Sequence, residues 1–114
     1  MNTTHPMHIN AESFAQTKSG KKTIERRLYD EKRQHLKVGD DILFTNDETG
    51  ETLACTITGL CWFRDFATMV ANLGYAKCGW DTEPKNPDAD MERHWTKPDI
   101  KKYGALGIVL EVKK

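Results

Sequence analysis

The sequence predicts an α+β fold: a small, mostly antiparallel β-barrel with flanking helices packed at its openings. Three observations carry this. Five segments have the composition or alternation of strands, and three of them follow one another without an intervening long helix. Helical periodicity does not alternate strictly with strands, which argues against a doubly wound parallel sheet. The longest strand segment contains a glycine that breaks its alternation, as a bulged or bent strand in a small barrel does.

The elements follow in order. His5–Ile9 reads as a short strand. Asn10 then offers a side-chain acceptor to the first turn of a helix over Ala11–Ser19, where Phe14, Ala15 and Lys18 fall at helical spacing. Gly20 supplies the stop. Lys22–Leu28 reads as a strand, because Thr23, Ile24 and Leu28 favour one and no breaker interrupts it. Asp30–Leu36 is a helical turn, and Val38-Gly39-Asp40 leads into a strand over Asp41–Thr45 with Ile42 and Phe44 on one face. Asn46-Asp47-Glu48-Thr49-Gly50 is hairpin-loop chemistry. In the strand Glu51–Phe63, Leu53, Cys55 and Ile57 alternate with Ala54, Thr56 and Thr58 until Gly59, where a bulge is expected. Phe63, Phe66, Met69, Val70 and Leu73 recur at helical spacing up to Gly74. Asp81–Asp88 is polar, holds two prolines and reads as an exposed loop, with a helical turn over Asp90–Trp95. Thr96 as N-cap, Pro98 in the first turn and Asp99 at the capping-box position open a further helix, closed at Tyr103-Gly104. Ala105–Val112 is the last strand, with Leu106, Ile108, Leu110 and Val112 on one face.

The 114 residues suit a single domain over 1–114 with one core. An apolar content of 38% and three tryptophans argue against disorder despite 30% charged residues. No apolar run approaches the roughly 20 residues of a membrane span. The opening MNTTHPMHIN lacks the basic and apolar regions of a signal peptide. The chain therefore reads as cytoplasmic, with no membrane partner. Cys55, Cys61 and Cys78 form no C-x-x-C pair, and their odd number favours free thiols over a disulfide framework. His5 and His8 on a short strand face opposite ways and do not read as a metal pair; no metal or cofactor is expected. Trp62, Phe63 and Phe66 read as core, and Trp80 and Trp95 as caps on it. No apolar patch calls for an obligate protein partner.

The net charge of zero hides an asymmetry. Residues 1–38 hold eight Lys and Arg against four Asp and Glu, whereas residues 39–114 hold nine against thirteen. A local basic surface on a neutral protein follows. The charge gathers in SGKKTIERRLYDEKR, Ser19 to Arg33. Alternation along a strand sends Ile24, Arg26 and Leu28 to one face and Thr23, Glu25, Arg27 and Tyr29 to the other. The first set is the core face, where Arg26 must snorkel or be twisted outward. The second set, with Lys22 just before it, brings an ammonium, a carboxylate, a guanidinium and a phenol toward a barrel mouth. Arg27 and Lys22 suit phosphate, and Tyr29 offers a stacking face to a base. Glu25 needs one of these cations as its partner if it is buried.

The spacing Gly20-x-Lys22-x-x-Glu25-x-Arg27 resembles the G-x-K-x-x-E-x-R motif of the ASCH domain, a member of the PUA-like superfamily. A helix before the motif, then RLYDEKR, VGDDILF and KKYGALGIVLEV in order, extend the resemblance along nearly the whole chain. It implies a PUA-like β-barrel, with Lys22, Glu25 and Arg27 lining a cleft, and RNA or a nucleoside or nucleotide as the partner. Lys21, Arg26 and Arg33 extend the basic rim on grounds of charge. On this reading, Lys22→Ala and Arg27→Ala weaken RNA binding and leave the thermal midpoint little changed.

The resemblance also implies two enzymatic alternatives. Similar small proteins hydrolyse the acetyl amide of N4-acetylcytidine through a motif with Thr at the position of Glu25, using the Lys and a later Glu. In that scheme Lys22 and Glu25 are the catalytic candidates. A carboxylate at this position removes the hydroxyl that a nucleophilic step needs. Other relatives are single-strand ribonucleases; here Glu83, Asp88 and Glu92 are the later acids to be placed relative to the cleft.

Overall fold

Five strands form one mixed sheet in the computed structural model, which describes residues 2–114. They are β1 (Thr4–Ile9), β2 (Ile24–Leu28), β3 (Asp41–Asn46), β4 (Thr52–Phe63) and β5 (Ala105–Val112). The helices are α1 (Ala11–Ser19), α2 (Phe66–Leu73), α3 (Pro87–Met91) and α4 (Lys97–Tyr103). The sheet order is β1-β3-β4-β5-β2. The β1–β3 pair is parallel and the other three pairs are antiparallel. The fold is α+β, as the sequence predicts, with the sheet curled into a half-barrel. Its outermost strands, β1 and β2, share no ladder. Arg27 of β2 reaches across instead and donates from Nη2 to the His8 carbonyl of β1 at 3.1 Å. The open seam thus lies between the two strands that flank α1.

Local chemistry sets most boundaries. The Asn10 side chain accepts from the Ser13 N–H at 2.8 Å and opens α1. Asp65 accepts from Thr68 N–H to open α2, and Thr96 from Asp99 N–H to open α4. The β4–β5 register slips between Ile57 and Gly59, the bulge that the broken alternation predicts. Three boundaries differ from expectation by more than a residue. The turn expected over Asp30–Leu36 narrows to Arg33–His35. β2 starts at Ile24, because the N–H groups of Thr23 and Ile24 both donate to the Lys77 carbonyl rather than to a strand. The helical turn expected over Asp90–Trp95 begins earlier, at Pro87. Asn86 caps it, and Pro87 sits where its missing N–H costs nothing.

Two apolar cores share the sheet. Inside the half-barrel lie Met7, Ile9, Phe14, Ile42, Phe44, Cys55, Ile57, Leu106, Ile108 and Leu110. On the outer side of β2 and β5, the helices cover Ile24, Leu28, Phe66, Met69, Met91, Ile100 and Ala105. Both faces of β2 are therefore shielded. The set Ile24, Arg26 and Leu28 meets the helices, while the Glu25 and Arg27 side faces the seam. Phe66 is core, whereas Trp62 is exposed, its indole N–H donating to the Tyr103 carbonyl at 2.9 Å. Cys55, Cys61 and Cys78 are free thiols. Among the described residues, no helix is long and apolar enough to cross a membrane.

Candidate functional site

The seam opens into a cleft of about 270 Å3. Four segments remote in sequence line it, one of them the loop after β3, which gives the acid Asp47. β1 and the start of α1 give His8, Asn10 and Ser13. The motif gives Lys22, Glu25, Arg26 and Arg27. The chain after α3 gives Arg93, His94 and Trp95.

Glu25 is the centre of the site. It is 4% exposed, and Lys22 beside it is 3% exposed. The Lys22 ammonium donates to Glu25 Oε1 at 2.6 Å. Arg27 donates to the other oxygen, Oε2, at 2.9 Å from Nε and 2.8 Å from Nη2. Burial would push the Glu25 carboxyl up. The Lys22 and Arg27 charges and hydrogen bonds outweigh it and hold the carboxyl at about 2. Glu25 is thus a fixed anion with each oxygen taken by a cation. The same carboxylate, after burial itself, pushes the Cys55 thiol up to about 11, so this cysteine is an inert core residue. With two cations to one anion, the triad keeps one net positive charge at the cleft floor.

Backbone packing explains how an ammonium comes to be so enclosed. The segment Lys77–Gly79 runs over the Lys22 stem, tied down by the two hydrogen bonds to the Lys77 carbonyl. A Cβ on Gly79 would lie 3.0 Å from Lys22 Cδ, and Gly79 has a φ of +99°. Only glycine fits both demands.

Of the residues singled out from the sequence, Lys22, Glu25, Arg26 and Arg27 come together in the cleft. Lys21, Tyr29 and Arg33 do not line it. Lys21 turns outward to pair with Asp81. Tyr29 packs against the half-barrel core, so its ring does not offer a stacking face to the cleft. Arg33 pairs with Asp30 at 2.8 Å, three residues away. None of the later acids reaches the cleft either. Asp88 accepts from the N–H groups of Phe66 and Ala67 and caps α2. Glu92 faces Lys97 at 3.8 Å, and Glu83 is in the exposed loop. The later segment contributes Arg93, His94 and Trp95 instead, and no local signal in the sequence marks them. Trp95 is anchored by stacking on Phe66, with centroids 6.1 Å apart. Burial, then the charges of Arg93, Arg26 and Arg27, lower the pKa of His94, so its imidazole is neutral at neutral pH.

His5 and His8 belong to separate pairs, with Asp40 at 2.8 Å and Asp47 at 3.1 Å. Among the described residues no three His, Cys, Asp or Glu side chains gather as a metal site requires.

The cleft continues in both directions. On one side it shares His8 and Arg27 with a concavity of about 280 Å3 that also takes in Lys32 and Arg33. On the other it shares Asn10, Ser13, Arg26 and Arg93 with one of about 550 Å3 that runs to Trp80 and Thr82. The three concavities adjoin one another through these shared residues. Burial of the triad overturns one expectation: Lys22→Ala leaves a shielded carboxylate short of a partner, so it must lower the thermal midpoint.

The ASCH domain family model matches residues 7–113, and the chain belongs to that family. Two solved structures from Pyrococcus share the fold along the full length. The crystal structure of the hypothetical protein PH0355 has a TM-score of 0.87 and 29% sequence identity, covering 97% of this chain and 100% of that one. The solution structure of protein PF0455 from Pyrococcus furiosus has a TM-score of 0.79 and 28% identity, covering 98% and 99%. The half-barrel and helices agree with a PUA-like fold. No curated protein matches the chain.

Proposed function

We propose that this protein binds single-stranded RNA, or a nucleotide derived from it, in the cleft floored by Lys22, Glu25 and Arg27. The observation that carries this reading is the fixed, cation-rich triad at the floor of a pocket that adjoins, on its His8 and Arg27 side, a basic concavity. A pocket of about 270 Å3 takes one small ligand, and the flanking concavities take what is joined to it. Lys32 and Arg93 supply cations along the way, as a strand of phosphates requires. Glu25 orients Lys22 and Arg27, and these meet phosphate or a polar base edge. The RNA-binding association of the ASCH family supports the same reading.

Fluorescence anisotropy with a short labelled single-stranded RNA tests it. Affinity falls with salt, with a log–log slope of about −0.7 per phosphate contacted. Arg27→Gln weakens binding by about tenfold or more, the usual loss for a charge-assisted contact. Absence of binding at low salt, or binding indifferent to both salt and Arg27, refutes the proposal.

One observation favours a hydrolytic reading: His94 is a neutral imidazole in the cleft, able to accept a proton. Glu25 is a poor base, because it is held as an anion by two cations. Release of cytidine from N4-acetylcytidine, or shortening of the labelled RNA, each abolished by His94→Gln, establishes that reading; no product removes it.

A further inference from the structure

Arg26 stands at the variable position between the motif's carboxylate and its second cation, and it neither snorkels nor twists outward. Its guanidinium lies over the Trp80 ring, with Cζ 3.9 Å from the centroid. Trp80 is itself held, its indole N–H donating to Asp90 at 3.1 Å. Arg26 Nη1 meets only the Met91 sulfur, at 3.4 Å, which is a weak acceptor. Its Nε is shielded from solvent and has no acceptor at all. Among the described residues no carboxylate pairs with Arg26, although Lys21, Lys22, Arg27 and Arg33 each have one. Burial, opposed in part by the Glu25 charge, works against the guanidinium charge. A partly buried cation with several idle donors is an expensive arrangement unless something binds there.

Its position shows what that is. Arg26 and Arg93 line both the cleft and the adjoining groove, so two cations meet where the two concavities join. The acids on that groove are Glu12, Asp81 and Asp90; Lys21 neutralises Asp81, whereas Asp90 keeps its charge while accepting from the Trp80 indole N–H and helps to hold the Arg26 cation. Contact with the Trp80 ring face holds the guanidinium at the join, and a guanidinium suits a bidentate bond to a tetrahedral oxyanion.

We propose that Arg26, together with Arg93, forms a phosphate subsite for a nucleotide whose nucleoside part sits in the cleft. The subsite rests on the reading of the cleft as a nucleotide site, and it makes the ligand a phosphorylated one rather than a neutral nucleoside.

Nuclear magnetic resonance on the 15N-labelled protein observes the Arg26 Nε–H and the Trp80 indole N–H directly. Inorganic phosphate added alone shifts both in a saturable way, and chloride at equal ionic strength does not. Nucleosides are then compared with their 5′- and 3′-monophosphates. At least one monophosphate binds about tenfold more tightly than its nucleoside. Arg26→Gln abolishes that advantage; Arg26→Lys, which keeps charge without the fork, retains part of it. A short RNA whose affinity depends on Arg26 as strongly as the monophosphate's assigns the subsite to a chain phosphate, and one indifferent to Arg26 assigns it to a terminal phosphate. The subsite is overturned if phosphate moves neither resonance, an outcome that needs no variant to fold, or if the monophosphate advantage survives in Arg26→Gln. Phosphate binding at Arg26 with no nucleoside binding supports the anion subsite and removes the nucleotide reading of the cleft.

Discussion

Replacing Lys22 by methionine removes an ammonium and keeps most of the side-chain length. In the folded protein Lys22 and Glu25 are 3% and 4% exposed, and their charged atoms are 2.6 Å apart. Losing one partner of such a pair costs about 3–5 kcal/mol, because the other charge stays buried. Arg27 still holds one oxygen of Glu25, so the lower end applies, about 3 kcal/mol. A chain of this size loses about 4 °C of midpoint per kcal/mol, which gives a fall of about 12 °C. Thermal unfolding at neutral pH measures it, alongside Glu25→Gln and the Lys22→Met/Glu25→Gln double variant. The double variant should be less destabilised than the two single losses combined, since removing both charges leaves neither stranded. Added salt should change these differences little, because the pair is shielded. A midpoint within about 3 °C of the parent for Lys22→Met would show that the ammonium and carboxylate are hydrated, and the reasoning would fail.

Two further predictions rest on neighbouring geometry. The Glu25 carboxyl lies at about 2 in the folded protein against an ordinary 4.5. Its contribution is therefore complete above about pH 4.5 and is lost as the pH falls toward 2, about 3 kcal/mol in all. Denaturant unfolding across that range should show the loss in the parent and a flatter curve in Glu25→Gln; identical curves would contradict it. Gly104 has a φ of +82°, and a Cβ there would lie 2.5 Å from Trp62 Nε1 and 2.7 Å from the Phe63 carbonyl oxygen. Gly104→Ala should cost at least about 2 kcal/mol through backbone strain and displacement of the indole, and an unchanged midpoint would contradict the packing.

The motif side of the site was readable because a strand's alternation is a local rule. It put Glu25 and Arg27 on one face and Arg26 on the other; the strand keeps that alternation, but the Arg26 side chain reaches the cleft as well. The same locality explains the helix caps at Asn10 and Thr96 and the bulge at Gly59. What stayed hidden depends on contacts between distant segments. Arg93, His94 and Trp95 enter the cleft because α3 docks beside α2, with Asp88 capping α2 and Trp95 stacking on Phe66. Nothing near residue 93 signals this. Lys21 looked like a rim cation until Asp81, sixty residues on, neutralised it. Arg33 is different: Asp30 is three residues away, and that pairing was available to a local reading. The shielding of Lys22 was out of reach as well, since it comes from the Lys77–Gly79 segment crossing its stem.

Where RNA touches the protein decides whether the cleft is its binding site. Backbone amide shifts of the 15N-labelled protein, followed while a short single-stranded RNA is titrated in, measure this. They should concentrate in His8–Ser13, Lys22–Arg27 and Met91–Trp95, three stretches that only the cleft brings together. Shifts gathered instead around the exposed Val38, Leu43 and Trp62, with those three stretches unmoved, would contradict it.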